Sequence, residues 1–304
     1  MTTRRILLMM AAVAAALSAA PAAAQDAPAA KIKAVATISI LADLVRNVGG
    51  DRVAVTTLVG SNGDAHVYSP TPGDAKELAA AKIVFVNGLG LEGWMMRLVT
   101  ASGTKAPMIV VSTGVTPRRM PDEDKAGRMV TDPHAWQSVA DAKIYVANIR
   151  DGLAAADPAG TAVYAANAQA YLGKLDELEQ EIATAIAAIP AERRKIITTH
   201  DAFGYFGAAY GMSFIAPEGL STEAEPSAKD VARIIRQIKK QKIPAVFLEN
   251  VADPRLMAQI ARETGAALGG KLYSDALSAP GGLAATYIDM MRHNIREFTK
   301  ALVG

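Results

Sequence analysis

The sequence predicts an α/β fold of two lobes, each built on a parallel sheet, bridged by one long helix. Three observations predict it. Short apolar runs alternate with amphipathic stretches from Lys31 to Ala156, as in a parallel sheet with helices on its faces. A single helical pattern then occupies Pro158 to Ile189, and alternation resumes after Pro190. These features divide the chain into an N-terminal segment 1–24, a first lobe 25–157, a linking helix 158–190 and a second lobe 191–304.

The first 24 residues carry Arg4 and Arg5, an apolar run from Ile6 to Ala16, and Ala22 and Ala24 before Gln25. This is the pattern of a cleaved secretory signal peptide, and the apolar run is short for a membrane span of about 20 residues. Residues 25–30 read as a leader. "KIKAVATISI" reads as a buried strand and "LADLVRNVGG" as a helix closed by Gly49 and Gly50. "VAVTTLVG" is a second strand. Thr71 then caps a helix over "PGDAKELAAA", with Pro72 at its first position and Asp74 in its first turn. "KIVFVN" and "PMIVVST" are strands flanking a helix over "EGWMMRLVTAS". A loop from Gly114 to Trp136 leads into a helix over "SVADAKIYVANIRDGLAAA".

In the long helix, Leu172, Leu175, Leu178, Ile182, Ile186 and Ile189 recur every three or four residues and form one apolar face. At 1.5 Å per residue it runs roughly 45 Å, longer than one small lobe. Gly173 inside it costs about 1 kcal/mol against Ala. After Pro190, "KIITTH", "SFIAP", "AVFLEN" and "KLYS" read as strands. Helices fall over "YFGAAYG", "SAKDVARIIRQIKKQK", "DPRLMAQIARETG" and "TYIDMMRHNIREFTKALV".

Composition narrows the function. Without Arg4 and Arg5, the 32 basic residues become 30, against 30 acidic ones. A near-neutral exported chain implies no polyanionic partner such as nucleic acid. There is no cysteine, hence neither a disulfide nor a lipid-bearing N-terminal cysteine. The expected location is a soluble compartment outside the cytoplasm, such as a bacterial periplasm.

The chain has four histidines. His66 sits in "GDAHVYSPTP" after the second strand, His134 in "TDPHAW" before a helix, and His200 at the end of "KIITTH". Open parallel sheets bind ligands beyond the carboxyl ends of their strands. Asp275 follows the strand "KLYS" in the same sense. Three neutral imidazoles and one carboxylate suit zinc, and can also hold manganese or iron. No two histidines share a helix turn, so composition and periodicity leave two readings open: a metal site, or ordinary hydrogen-bonded loop residues. His293 lies within the terminal helix and reads as a solvated residue.

With these residues in hand, nearly the whole mature chain resembles the metal-binding solute receptors of bacterial ABC importers, the zinc/manganese/iron group. The resemblance rests on "GDAHVYSPTPGD", "NGLGLEGW", "DPHAWQS", "TTHDAFGYFGAAYGM", "FLEN" and "YSDALS", in the family's order. It implies metal ligation by His66, His134, His200 and Asp275 in a cleft between the lobes. It further implies a monomeric periplasmic receptor that delivers its ion to an inner-membrane permease, with a periplasmic metal donor as a further partner. In this reading Pro70 stiffens the exit from His66 and Tyr68 packs beneath it. The family's manganese-selective members commonly carry a carboxylate at the position of His200, so the resemblance implies Zn2+ as cargo. One departure is the short loop "RRMPDEDKAGRM", which has three acids and no histidine where many zinc receptors have a long His-rich segment.

Other features weigh less. Gly88, Gly90 and Gly93 fit G-x-G-x-x-G, but no acid follows about 20 residues later, so a tight strand-to-helix turn with Trp94 packed on the lobe is expected rather than a nucleotide site. The basic "VARIIRQIKKQK" reads as a solvated helix face. Glu249 and Asp201 fall at strand ends, where they would orient imidazoles or cap helices. A secreted zinc hydrolase, the competing class, needs an open coordination position and a nearby base; no H-E-x-x-H motif is present. The expectation is therefore a binding protein, not an enzyme. A metal chaperone on the same fold stays open.

Overall fold

The computed structural model describes residues 30–121, 127–222 and 226–303. The expected signal peptide and residues 122–126 of the short acidic loop lie outside them. The first lobe runs β1 (Ile32–Ile38), α1 (Ser39–Gly49), β2 (Val53–Val59), α2 (Pro72–Ala80), β3 (Ile83–Val86), α3 (Met95–Ser102) and β4 (Met108–Val110). Its sheet is parallel throughout, in the order β2-β1-β3-β4, with Ala34 opposite both Val55 and Ile83. From Ala34 onward β1 is buried on both faces, which is why it reads as an apolar run without alternation.

The expected cap of α2 is present as a reciprocal box. Thr71 Oγ1 accepts from the Asp74 N–H, and the Asp74 carboxylate accepts from the Thr71 N–H. The expected loop before His134 instead contains a hairpin, β5 (Arg119–Pro121) with β6 (Met129–Thr131). Strands of three residues are too short to show a period of two, so the sequence pattern misses them. The helix α4 (Val139–Ala156) follows, with Ser138 as its cap.

The bridging helix α5 (Thr161–Ala187) is entered through a 3-10 turn, Pro158–Gly160. Its buried face is Tyr164, Ala168, Tyr171, Leu175, Leu178, Ile182 and Ile186. Leu172, expected on that face, is only partly buried, because continuing the three-and-four spacing back from Leu175 lands on Tyr171. Gly173 points to open space. The helix packs on α1 and α4 of the first lobe and on the last helix of the second. Ion pairs of Lys143 with Glu179 and Asp176, and of Arg292 with Glu181, lie along it.

The second lobe runs β7 (Lys195–Ile197), α6 (Gly204–Tyr210), β8 (Ser213–Ile215), α7 (Ala228–Gln241), β9 (Ala245–Glu249), α8 (Pro254–Thr264), β10 (Ala267–Leu272) and α9 (Tyr287–Leu302). Its parallel sheet has the order β10-β9-β7-β8. Strand alternation divides its core. Ile196 and Phe247 join a cluster continuous with the first lobe, α5 and α9, while Ile197 and Val246 join a smaller one under α7 and α8. The terminal helix carries a correction. His293 is buried rather than solvated: its Nε2 lies 2.7 Å from the Lys271 carbonyl, and its ring stands edge-on to Tyr273. The face of α9 that meets β10 takes in position 293. Among the described residues, no helix is long and apolar enough to cross a membrane.

Candidate metal centre

The two sheets bring their carboxyl ends toward one point. His66 follows β2, where Asp64 Oδ1 accepts its backbone N–H at 2.9 Å. The Trp94 indole N–H donates to the carbonyl of Ala65, just before it. Tyr68 stands edge-on to Trp94 and donates to Asp74, joining the α2 cap. His134 sits in the turn after β6, His200 three residues past β7, and Asp275 three residues past β10. His134, His200 and Asp275 are each no more than 1% exposed.

All four predicted residues meet. Each offers one donor atom, and these atoms lie within 4.8 Å of one another. His66 Nε2 is 3.3 Å from His134 Nε2 and 3.1 Å from Asp275 Oδ2. His200 Nε2 is 3.1 Å from the same carboxylate oxygen, and His134 Nε2 is 3.6 Å from Asp275 Oδ1. A tetrahedral ion with ligands at about 2.0–2.1 Å requires edges of about 3.3 Å. Asp275 Oδ1 is buried and accepts no hydrogen bond, a costly state for a carboxylate unless a cation completes it. The donor set fits a divalent ion.

Two of the imidazoles are backed by carboxylates. His134 Nδ1 lies 2.9 Å from Asp132 Oδ1, which also accepts the His134 backbone N–H. His200 Nδ1 lies 2.6 Å from Glu249 Oε2, an ion-pair contact outside hydrogen-bond alignment. The other oxygen of Glu249 accepts from the N–H groups of Thr199 and His200. A proton held at Nδ1 leaves the Nε2 lone pair facing the centre. Glu249 thus stands in the orienting position expected of it. Asp132 fills the same role unforeseen, although the "DPH" spelling offers an acid two residues before the candidate ligand, as "DAH" does with Asp64. Asp201 donates its backbone N–H to Gly219 and is not among the groups brought to the centre.

Without an ion the cluster holds protons firmly. Burial disfavours the His134 imidazolium, yet Asp275 and Asp132 outweigh it and push the pKa up to about 9. Burial likewise opposes charge on His200, but Glu249 and Asp275 raise its pKa well above the usual range. Burial would raise Asp275, whereas His200 and His134 hold it well below the ordinary carboxylate range.

The lobes also clamp each other beside the donors. Trp136 Nε1 and Gln137 Nε2, two and three residues past His134, both donate to the Ser274 carbonyl at 2.8 Å. Ser274 immediately precedes Asp275, so each lobe's ligand segment fixes the other's. The Gly88–Gly93 segment forms the expected tight turn, with positive φ at Gly88, Leu89 and Gly90. Trp94 is buried.

Known proteins match over most of this length. The family described as zinc-uptake complex component A, periplasmic, matches residues 34–301. The manganese-binding lipoprotein MntA of Halalkalibacterium halodurans is 37% identical over 271 residues, covering 89% of this chain and 88% of that protein. A Mn-bound variant of the periplasmic metal binding protein of Candidatus Liberibacter asiaticus superposes with a TM-score of 0.82 at 33% identity, over 90% of this chain and all of that one (100%). The periplasmic zinc binding protein TroA of Treponema pallidum superposes with a TM-score of 0.84 at 31% identity, again over 90% and 100%.

Proposed function

The chain belongs to the family of periplasmic metal-binding receptors of metal-uptake ABC transporters, and from that premise we propose that it captures one divalent transition-metal ion in the periplasm and hands it to a membrane permease. The family is one of transport receptors, not enzymes. The buried convergence of His66, His134, His200 and Asp275 carries this reading. In it, these four are the ligands, and the ion draws residues 25–157 and 191–304 together around the 158–190 helix.

Manganese is the cargo we assign first, because similar proteins are described as binding it. Zinc is the second reading, and one observation favours it: three imidazoles with only one carboxylate, at near-tetrahedral edges, are a borderline-soft set. The ion enters as cargo and displaces protons from the imidazoles. Asp275, Asp132 and Glu249 together offset its two charges in a largely buried site, limiting the desolvation cost. Release requires the Trp136 and Gln137 bonds to the Ser274 carbonyl to yield, and the permease would favour that state. The continuous core across α5 and α9 limits the movement to a modest one.

The test is a chelator-competition titration of the metal-stripped protein with manganese and zinc in parallel, bound metal being counted. One tightly held manganese supports the first reading. Tight zinc with weak manganese replaces it with the second. Failure to hold either ion removes the receptor assignment.

A further inference from the structure

The segment "NGLGLEGW", Asn87 to Trp94, supplies none of the four candidate ligands, yet its two ends meet both first-lobe histidine segments. At one end the Trp94 indole N–H donates at 2.9 Å to the carbonyl of Ala65, the residue before His66. At the other, Asn87 Nδ2 donates at 2.9 Å to the carbonyl of Pro133, the residue before His134. Each bond therefore grips the peptide unit that carries a candidate ligand. Both side chains are buried, Asn87 at 0% and Trp94 at 3% exposure.

The segment is itself held rigidly. Glu92 accepts from the N–H groups of Asn87 and Gly88 and from the Thr37 hydroxyl. The Tyr145 hydroxyl donates to Asn87 Oδ1, which turns the Asn87 NH2 toward Pro133, and Ser112 donates to the Asn87 carbonyl. Tyr68 fixes the Trp94 ring edge-on. The reversal between the two ends needs positive φ at three successive residues, and a Cβ on Gly88 would collide with Val110. A loop in that conformation is suited to placing two side chains, not to cradling a phosphate.

From this juxtaposition we infer that Asn87–Trp94 is a bracket that sets the spacing of His66 and His134, with Asn87 and Trp94 as positioning residues. The inference rests on the ligand assignment proposed above. It makes the two first-lobe histidine segments one unit, their backbones spaced before any ion arrives. Loss of an outer partner of a metal ligand typically costs about 10- to 100-fold in affinity.

Double-mutant cycles test it. Trp94→Phe keeps a ring but loses the N–H; Asn87→Ala loses the amide, and Asn87→Ser serves if the alanine variant does not fold. Each is combined with His66→Ala and with His134→Ala, and affinity is read with the cation held best by the unmodified protein. We expect Trp94→Phe to lower affinity about tenfold alone and to add nothing in the His66→Ala background. Asn87→Ala should behave likewise with His134→Ala. Fully additive losses in all four combinations would overturn the bracket. The ring resonances of the four histidines in metal-free protein give a second readout that needs no bound ion. Trp94→Phe should move those of His66, and Asn87→Ala those of His134, with His200 and His293 unmoved. Unchanged rings, or equal shifts in all four, would also overturn it. If the unmodified protein binds no metal, the receptor reading falls and the ring shifts still decide the bracket.

Discussion

His134 and His200 are held in one way and His66 in another. The first two are wholly buried, and each has a carboxylate against Nδ1, Asp132 or Glu249. His66 is less deeply buried, its side chain 6% exposed, and, among the described residues, no carboxylate backs its Nδ1; it is steadied through its backbone, by Asp64 at its N–H and Trp94 at the preceding carbonyl. A carboxylate at Nδ1 fixes both the tautomer and the ring plane. A backbone grip fixes the segment and leaves the ring plane to its contacts with His134 and Asp275. The difference separates the carboxylate-backed His134 and His200 from a candidate ligand at the rim, His66, held through its backbone. In the proposed reading it gives an order of assembly: the ion meets His134, His200 and Asp275 first, and the His66 ring settles on it last.

The largest expected effect tests that order directly. His200→Ala removes a buried ligand and leaves Glu249 without its imidazole, so metal affinity should fall by orders of magnitude in a chelator competition. His66→Ala should fall clearly less far. Equal losses would break the comparison. Next come the supports. Glu249→Gln and Asp132→Asn keep size and lose charge, and each should cost about 10- to 100-fold in affinity. The Glu249 change should be the greater, because its other oxygen also holds the Thr199 and His200 N–H groups. His293→Ala, by contrast, should leave affinity unchanged while lowering the melting temperature, since His293 bonds only the Lys271 carbonyl within the second lobe.

The same contrast explains what was legible in the sequence. The parallel lobes were readable because their strands are apolar runs bounded by turns, and the cap of α2 because Thr71, Pro72 and Asp74 are local signals. The four candidate ligands were readable as loop residues at strand ends, and as a set only through the resemblance of their motifs. Asp132 escaped because its role depends on a turn that folds its carboxylate back onto a ring two residues away. Burial of His293 escaped because helical spacing does not say which face a neighbouring strand will cover. The hairpin of β5 and β6 escaped for want of length. Trp136 and Gln137 escaped because their partner, Ser274, lies more than a hundred residues away.

A pH series sharpens the comparison at intermediate size. The carboxylates beside His134 raise its pKa to about 9 against 6.5 unperturbed, so the metal-free site still carries that proton at neutral pH. Metal binding must expel it. Apparent affinity should therefore rise with pH through neutrality, by about tenfold per unit for each proton displaced from His134 and His200, and the share due to His134 should reach its plateau near 9. Proton release measured by calorimetry in buffers of different ionisation enthalpy should diminish over the same range. In Asp132→Asn, which loses one of the groups raising that pKa, the plateau should come at lower pH. An unmoved plateau would mean that Asp132 does not govern the proton on His134. In metal-free protein the sign for stability is opposite: the contribution of this raised pKa is full below pH 6.5 and is lost as pH climbs through 9.

The smallest expected effect concerns the rim. Asp64 spends one oxygen on the His66 N–H and accepts the Thr222 hydroxyl with the other, at 2.5 Å, so a second-lobe residue steadies the first-lobe loop. Thr222→Val removes that hydroxyl with little change of shape. One hydrogen bond contributes about 1 kcal/mol net, or about fivefold in an equilibrium. Because His66 closes last in this order, the change should fall on departure of the ion, with release into a chelator faster by up to that factor and capture nearly unchanged. A loss as large as that of Glu249→Gln would show that the rim is as rigid as the buried half. Slower capture with unchanged release would place His66 first in the order rather than last.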